Sequence, residues 1–200
     1  MMPAGGLHDA VESLRQGGVV AYPTETLYAL AVDIRRADAV ERLRNVKSRE
    51  AHKPLALLVA DPAQILALVG EVSPLADLLM RTFWPGPLTL VFNAAPGLPP
   101  GITAETGTVA VRCSSHPVAR ALAQGLGGAI TATGCNRLGG RAARTSGDVD
   151  PMLREQLGAV LEGEPAPSGV ACSIVDARLG TPVIVREGAI KADVLQRVWA

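Results

Sequence analysis

Aromatic residues are nearly absent: two Trp, two Tyr and two Phe in 200 positions, 3% of the chain. The core must therefore be packed from aliphatic side chains, and there are too few rings to stack along single-stranded nucleic acid. Excess charge of one sign is missing too. Nineteen Lys and Arg balance nineteen Asp and Glu, which argues against a broad RNA-binding face and leaves a local basic pocket as the place for an anionic ligand. The three cysteines, Cys113, Cys135 and Cys172, are odd in number, far apart and without CxxC spacing. They suggest neither a disulfide framework nor a zinc site, and they fit a reducing compartment. His8, His52 and His116 have no metal-ligand spacing, so no protein-held metal is expected. The apolar run nearest the N-terminus, Gly17 to Tyr22, is too short for a membrane span and follows a polar segment, unlike a signal peptide. The expectation is a cytoplasmic protein without a membrane partner.

Several motifs are absent as well. The chain has no GxxxxGK[ST], no GxGxxG after a strand, no HExxH and no GxSxG, so any nucleotide must be held by dispersed side chains and not by a P-loop or dinucleotide fingerprint.

What is present reads as one globular domain over residues 1–200, with 48% hydrophobic and 19% charged residues and no repeat, linker or low-complexity tract. Helical and strand periodicities alternate, which predicts an α/β (α+β) fold built on one sheet. Helices are expected around 7–14, 40–46, 63–69, 74–83, 116–124, 151–157 and at the C-terminus. Strands are expected at 19–22, 54–60, 88–92, 108–112, 129–133, 173–175 and 183–186, with a long loop over 93–107.

Lys47, Arg49 and Lys53 fall within seven residues in a polar loop between a helix and a strand. Arginine grips a carboxylate or phosphate through two parallel hydrogen bonds and lysine supplies a point charge, so the set suits an anionic substrate, although a basic triplet alone is more often a solvated loop. Arg112 and Arg186 shift that balance, because each ends an apolar strand, where open α/β sheets place their ligands. Pro23-Thr24-Glu25-Thr26 also follows a strand; its hydroxyls either orient a small polar ligand or cap their own turn. Gly134-Cys135-Asn136 offers close backbone approach to a phosphate, with Asn136 as a hydrogen-bonding arm.

Together these blocks resemble the YrdC/Sua5 family. The similarity runs from about Gly17 to Ile190: Gly18-Val-Val-Ala-Tyr-Pro-Thr-Glu-Thr-Leu-Tyr28, Lys47-Ser-Arg49 with Lys53-Pro-Leu55, Trp84-Pro-Gly-Pro-Leu-Thr89, Thr108-Val-Ala-Val-Arg112 with His116-Pro117, Ile130-Thr-Ala-Thr-Gly-Cys-Asn136, Cys172-Ser-Ile-Val-Asp176 and Val185-Arg-Glu-Gly-Ala-Ile190. The resemblance implies a twisted, open, mostly mixed sheet flanked by helices with a basic concave cavity, and a short, single-domain threonylcarbamoyl-AMP synthase, a nucleotidyltransferase acting on L-threonine, bicarbonate and ATP. By the same resemblance Thr26, Arg112, the backbone at Ala132 and Cys172 hold threonine. Arg49, Lys53, Thr108, Gly134, Asn136 and Arg186 surround ATP, Lys47 and Arg49 carry the catalytic charge, and Mg2+ arrives with ATP. The product would pass to the tRNA threonylcarbamoyl transferase machinery, with direct tRNA binding weak or absent. The chain departs from the family pattern at Gly134 and Cys172, where serine is usual, and at Ala29, where glycine is. A paralogue with an altered substrate and an RNA-binding module using the same cavity are the alternatives.

Overall fold

Side chains that are large on one face of a sheet and small on the other shape this structure. The computed structural model describes residues 6–47, 54–103, 107–137, 140–178 and 181–199. In chain order the strands are β1 (Val20–Pro23), β2 (Tyr28–Ala31), β3 (Ala56–Val59), β4 (Leu88–Asn93), β5 (Thr108–Cys113), β6 (Ile130–Thr131), β7 (Thr133–Gly134), β8 (Ala159–Val160), β9 (Ser173–Asp176) and β10 (Val183–Arg186). The helices are α1 (Leu7–Arg15), α2 (Ala37–Val46), α3 (Pro74–Phe83), α4 (Pro100–Thr103), α5 (Pro117–Leu126), α6 (Pro151–Arg154) and α7 (Ala192–Gln196).

The mixed α/β class holds, but the strands divide between two sheets. One has the order β7-β2-β1-β8, and the other has the order β10-β9-β4-β5-β3-β6. Alternation along the larger sheet sends Leu57, Val59, Leu88, Leu90, Phe92, Val109, Val111 and Val175 into one buried cluster with Ala76, Leu79 and Met80 of α3. The opposite face carries Ala56, Thr89, Val91 and Ala110, too small to fill the space above them, and that space is the cavity described below. A second cluster packs Ala10, Val11 and Leu14 of α1 and Ala119, Leu122 and Leu126 of α5 against Val20 and Tyr22 of β1.

The segment read as one strand over 129–133 is where the sheets meet. Thr131 pairs with Leu57 of the larger sheet, whereas Thr133 pairs with Leu30 and Gly134 with Ala29 of the smaller one. Thr131 joins them: its hydroxyl donates to Leu30 O at 2.9 Å and accepts from Val32 N at 3.0 Å, and its carbonyl accepts the buried Tyr22 hydroxyl at 2.8 Å.

Other expectations change at the margins. Residues 63–69 form a 3-10 helix over Pro62–Ala67, opened by an Asp61 and Gln64 capping box, because the chain must turn at once to bridge Val69 with Ala94. The helix expected over 151–157 stops at Arg154, and the loop expected over 93–107 contains α4. Strand β2 carries no alternation to read, being Tyr-Ala-Leu-Ala and buried throughout.

His116 does begin a helix. Its Nδ1 accepts from Val118 N at 3.2 Å as the N-cap of α5, so the neutral tautomer donates from Nε2 to Pro165 O at 2.9 Å. Burial holds the imidazole below its ordinary pKa. A depressed folded-state value means that the unfolded chain takes up the proton first, so stability is fully present above about pH 6.5 and is lost as pH falls through the folded pKa. Resistance to urea is therefore expected to fall as the pH is lowered from about 7.5 to about 5.5, with a contribution from this group. His116→Asn, which keeps a capping oxygen but does not titrate, should flatten that slope; an unchanged slope would remove His116 as its source.

Candidate functional site

The space above the small-residue face is a cavity of about 720 Å3, within the ~300–1,000 Å3 common for small-molecule sites. Its walls are the β1–β2 turn with Thr24, Thr26 and Leu27, the exposed face of the larger sheet, the 132–136 segment, and Ala171, Cys172, Val185 and Arg186. Among the described residues lining it, Lys47, Arg112, Arg137 and Arg186 are cationic and none is acidic.

Register brings two of these arginines to the same edge. β5 and β10 run in the same direction, since β4 is antiparallel to β5, β9 is parallel to β4, and β10 is antiparallel to β9. A β-bulge separates the pairs Ile184↔Val175 and Arg186↔Ile174, and Val185 is the extra residue. Had Val185 paired in regular register, Arg186 would fall opposite Ser173 and face the core; with the bulge, both Val185 and Arg186 reach the cavity.

Arg112 is only 5% exposed. Its Nη2 donates to Glu25 Oε1 at 2.5 Å and its Nη1 to Thr26 Oγ1 at 3.2 Å, while Nε is buried with no hydrogen-bond partner. The second oxygen of Glu25 accepts from Ser114 Oγ, which itself accepts from His116 N at 3.2 Å. The turn supporting this is self-capped, as one reading of its threonines expects. Thr24 Oγ1 accepts from Thr26 N and Leu27 N, each at 3.2 Å, and lies 2.8 Å from Thr26 Oγ1.

Arg186 donates from Nε and Nη2 to Cys172 O at 3.0 and 2.8 Å, and its Nη2 lies 3.2 Å from Cys172 Sγ. Thr89 Oγ1 lies 3.2 Å from the same sulfur. The Cys172 backbone is itself fixed by Gly188, where a Cβ would approach Ala171 O to 2.3 Å and Cys172 C to 2.6 Å. Buried Ser173 Oγ ties the two segments, donating to Ile190 O at 2.6 Å and accepting from Gly188 N and Ile190 N.

Lys47 is 7% exposed. Its ammonium donates to Gly134 O at 2.7 Å, to Asn136 Oδ1 at 2.8 Å and to Asn136 O, a contact for each of its three N–H groups. Its contribution to a ligand is therefore charge and the shape of the 134–136 loop. Asn136 is engaged as well, donating from Nδ2 to Gly140 O at 2.6 Å.

Of the residues singled out from sequence, Thr26, Lys47, Arg112, Ala132, Gly134, Asn136, Cys172 and Arg186 line this one cavity. Thr108 does not; it lies on the same face of β5 as Arg112, four residues earlier, beyond the lining. Arg49 and Lys53 lie outside the described residues. Arg137 was missed. It lines the cavity, and its Nη1 donates to Met152 Sδ at 3.2 Å, a weak acceptor. Its position directly after Gly134-Cys135-Asn136 was the available signal. Cys113 and Cys135 are buried, and burial pushes their thiols up to about 11 and about 12, which leaves them inert.

Comparisons with known proteins bear on the family and the fold. The Sua5/YciO/YrdC family model, described as "Telomere recombination", matches residues 12–188. A threonylcarbamoyl-AMP synthase of Thiobacillus denitrificans is 38% identical over 176 residues, covering 88% of this chain and 84% of that one. A protein of the same name from Bacillus subtilis is 34% identical over 190 residues, covering 94% of this chain and 55% of its own length. Among solved structures, P. abyssi Sua5 complexed with L-threonine superposes with a TM-score of 0.92 at 30% identity, covering 96% of this chain and 57% of that one. The chain thus spans little more than half the length of the last two.

The geometry at Gly134 decides what a side chain would do there. Its φ lies outside the left-handed region, and a Cβ would meet only Asn136 Oδ1, at 3.2 Å. Glycine is not demanded by the backbone, so Gly134→Ser is expected to shift Tm by no more than about 2 °C, equivalent to roughly 0.5 kcal/mol. A fall beyond about 5 °C in a thermal melt would show that the loop cannot give way.

Proposed function

The chain belongs to the Sua5/YciO/YrdC family, and from that premise we propose that it is a cytoplasmic threonylcarbamoyl-AMP synthase, forming its product from L-threonine, bicarbonate or CO2, and ATP. The observation that carries this reading is a guanidinium, Arg112, held in a cavity whose described lining residues include three further cations and no carboxylate. Such a wall suits a substrate pair bearing one carboxylate and one polyphosphate.

In this reading Arg112 and Thr26 take the threonine carboxylate and hydroxyl, with the Ala132 backbone and Cys172 beside them. Arg186, Arg137, Asn136 and Gly134 border the nucleotide, and by resemblance to the family Arg49, Lys53 and Thr108 contribute to holding it. The threonine amine, once deprotonated, adds to CO2 and releases a proton to solvent to give an N-carboxylate. A carboxylate oxygen then attacks the α-phosphorus of ATP as the bond to pyrophosphate breaks. No side-chain nucleophile is required, so the protein's work is to hold the two anions together and to offset the negative charge that develops between them. Mg2+ enters as a companion of ATP; among the described residues no group of three His, Cys, Asp or Glu is placed to hold it. The product would be handed to the machinery that modifies tRNA, with little direct tRNA contact by this chain.

Purified protein is expected to release pyrophosphate and an AMP-containing product only when ATP, Mg2+, L-threonine and bicarbonate are all present. ATP turnover indifferent to threonine would contradict the assignment. Arg49→Ala, removing a charge-assisted hydrogen bond worth about 1.5–3 kcal/mol, should lower ATP affinity or turnover by about one to two decades while the protein stays folded. Unchanged synthesis in that variant would take Arg49 out of the site.

A further inference from the structure

We propose that Glu25 is a positioning residue, which fixes the Arg112 guanidinium in the orientation that receives the substrate carboxylate; this rests on Arg112 being the threonine anchor. Glu25 does not line the cavity, although its neighbours Thr24 and Thr26 do. It stands behind Arg112. One carboxylate oxygen takes Nη2 at 2.5 Å and the other takes the Ser114 hydroxyl. Ser114 is fully buried and anchored to His116 N, the N-cap of α5, so the carboxylate ties the turn that bears it to a helix packed elsewhere.

Two contacts, to Glu25 and Thr26, stop the guanidinium from rotating about its own stem. An arginine has five N–H donors. These contacts use two, and each terminal nitrogen keeps a second N–H for a ligand. The buried Nε has no partner, which separates this arrangement from an ion pair kept for stability alone, where every buried donor is normally satisfied. A cation immobilised before substrate arrives loses less freedom on binding, and that gain is specific to whichever ligand Arg112 touches.

The specificity supplies the test: calorimetric titration of L-threonine and, separately, of ATP into wild type, Glu25→Gln, Glu25→Ala and Ser114→Ala. The threonine Kd is expected to rise at least about tenfold in Glu25→Ala and by smaller factors in Glu25→Gln and Ser114→Ala, with the ATP Kd within about twofold throughout. If Glu25→Ala does not fold, the other two variants carry the same expectation. Unchanged or tighter threonine binding in the folded variants overturns the proposal and leaves the proposed function standing, as does an equal loss for both ligands, which marks a purely structural pair. Failure of wild type to bind threonine overturns the reading of Arg112 and the role of Glu25 with it.

Discussion

A guanidinium that is 5% exposed has to be matched by the protein around it, because an unpaired buried charge is far costlier than any single packing contact. That requirement organises the site around Arg112. It calls for a carboxylate on the β1–β2 turn, a turn rigid enough to hold it, and a hydroxyl from the segment between β5 and α5 for the second oxygen. Thr24 provides the rigidity by capping the turn with its own side chain, and Ser114 provides the hydroxyl. Removing one member of such a pair costs about 3–5 kcal/mol in typical cases, so these positions are coupled to one another more than to the rest of the core.

The other cavity cations are held differently. Arg186 donates to a backbone carbonyl and Arg137 to a thioether, both uncharged acceptors, and Lys47 is tied to the 134–136 loop. Among the described residues no carboxylate lines the cavity, Glu25 standing behind Arg112, and many others form surface pairs such as Arg81–Asp77, Arg178–Asp176 and Arg197–Asp193. A formal charge of zero therefore coexists with a cavity wall of one sign. Low-dielectric walls around it concentrate the positive potential where an anion would sit.

Most of the fold was legible because its large-face residues alternate cleanly; β4 and β5 lie within a residue or two of the strands read from sequence, as does α3 among the helices. The division into two sheets was not legible, although β1 was read within a residue of its place. The strands of the smaller sheet are short, β2 is uniformly apolar, and one of them, β7, is continuous in sequence with β6 of the larger sheet. The site residues were found one by one through residue type and through resemblance, but their state was not. That the ammonium of Lys47 is committed to the 134–136 loop, or that a bulge at Val185 turns Arg186 to the cavity, depends on partners distant in sequence. Glu25 and Ser114 stand 89 positions apart, and no local pattern links them.

The central claim is that Arg112 reads a carboxylate in this cavity, and the most direct measurement compares calorimetric binding of L-threonine with that of L-threonine amide, which keeps the amine, hydroxyl and methyl but lacks the anion. Loss of a charge-assisted hydrogen bond predicts at least about tenfold weaker binding of the amide. Equal affinity for the two would show that Arg112 does not contact the carboxylate and would contradict the account.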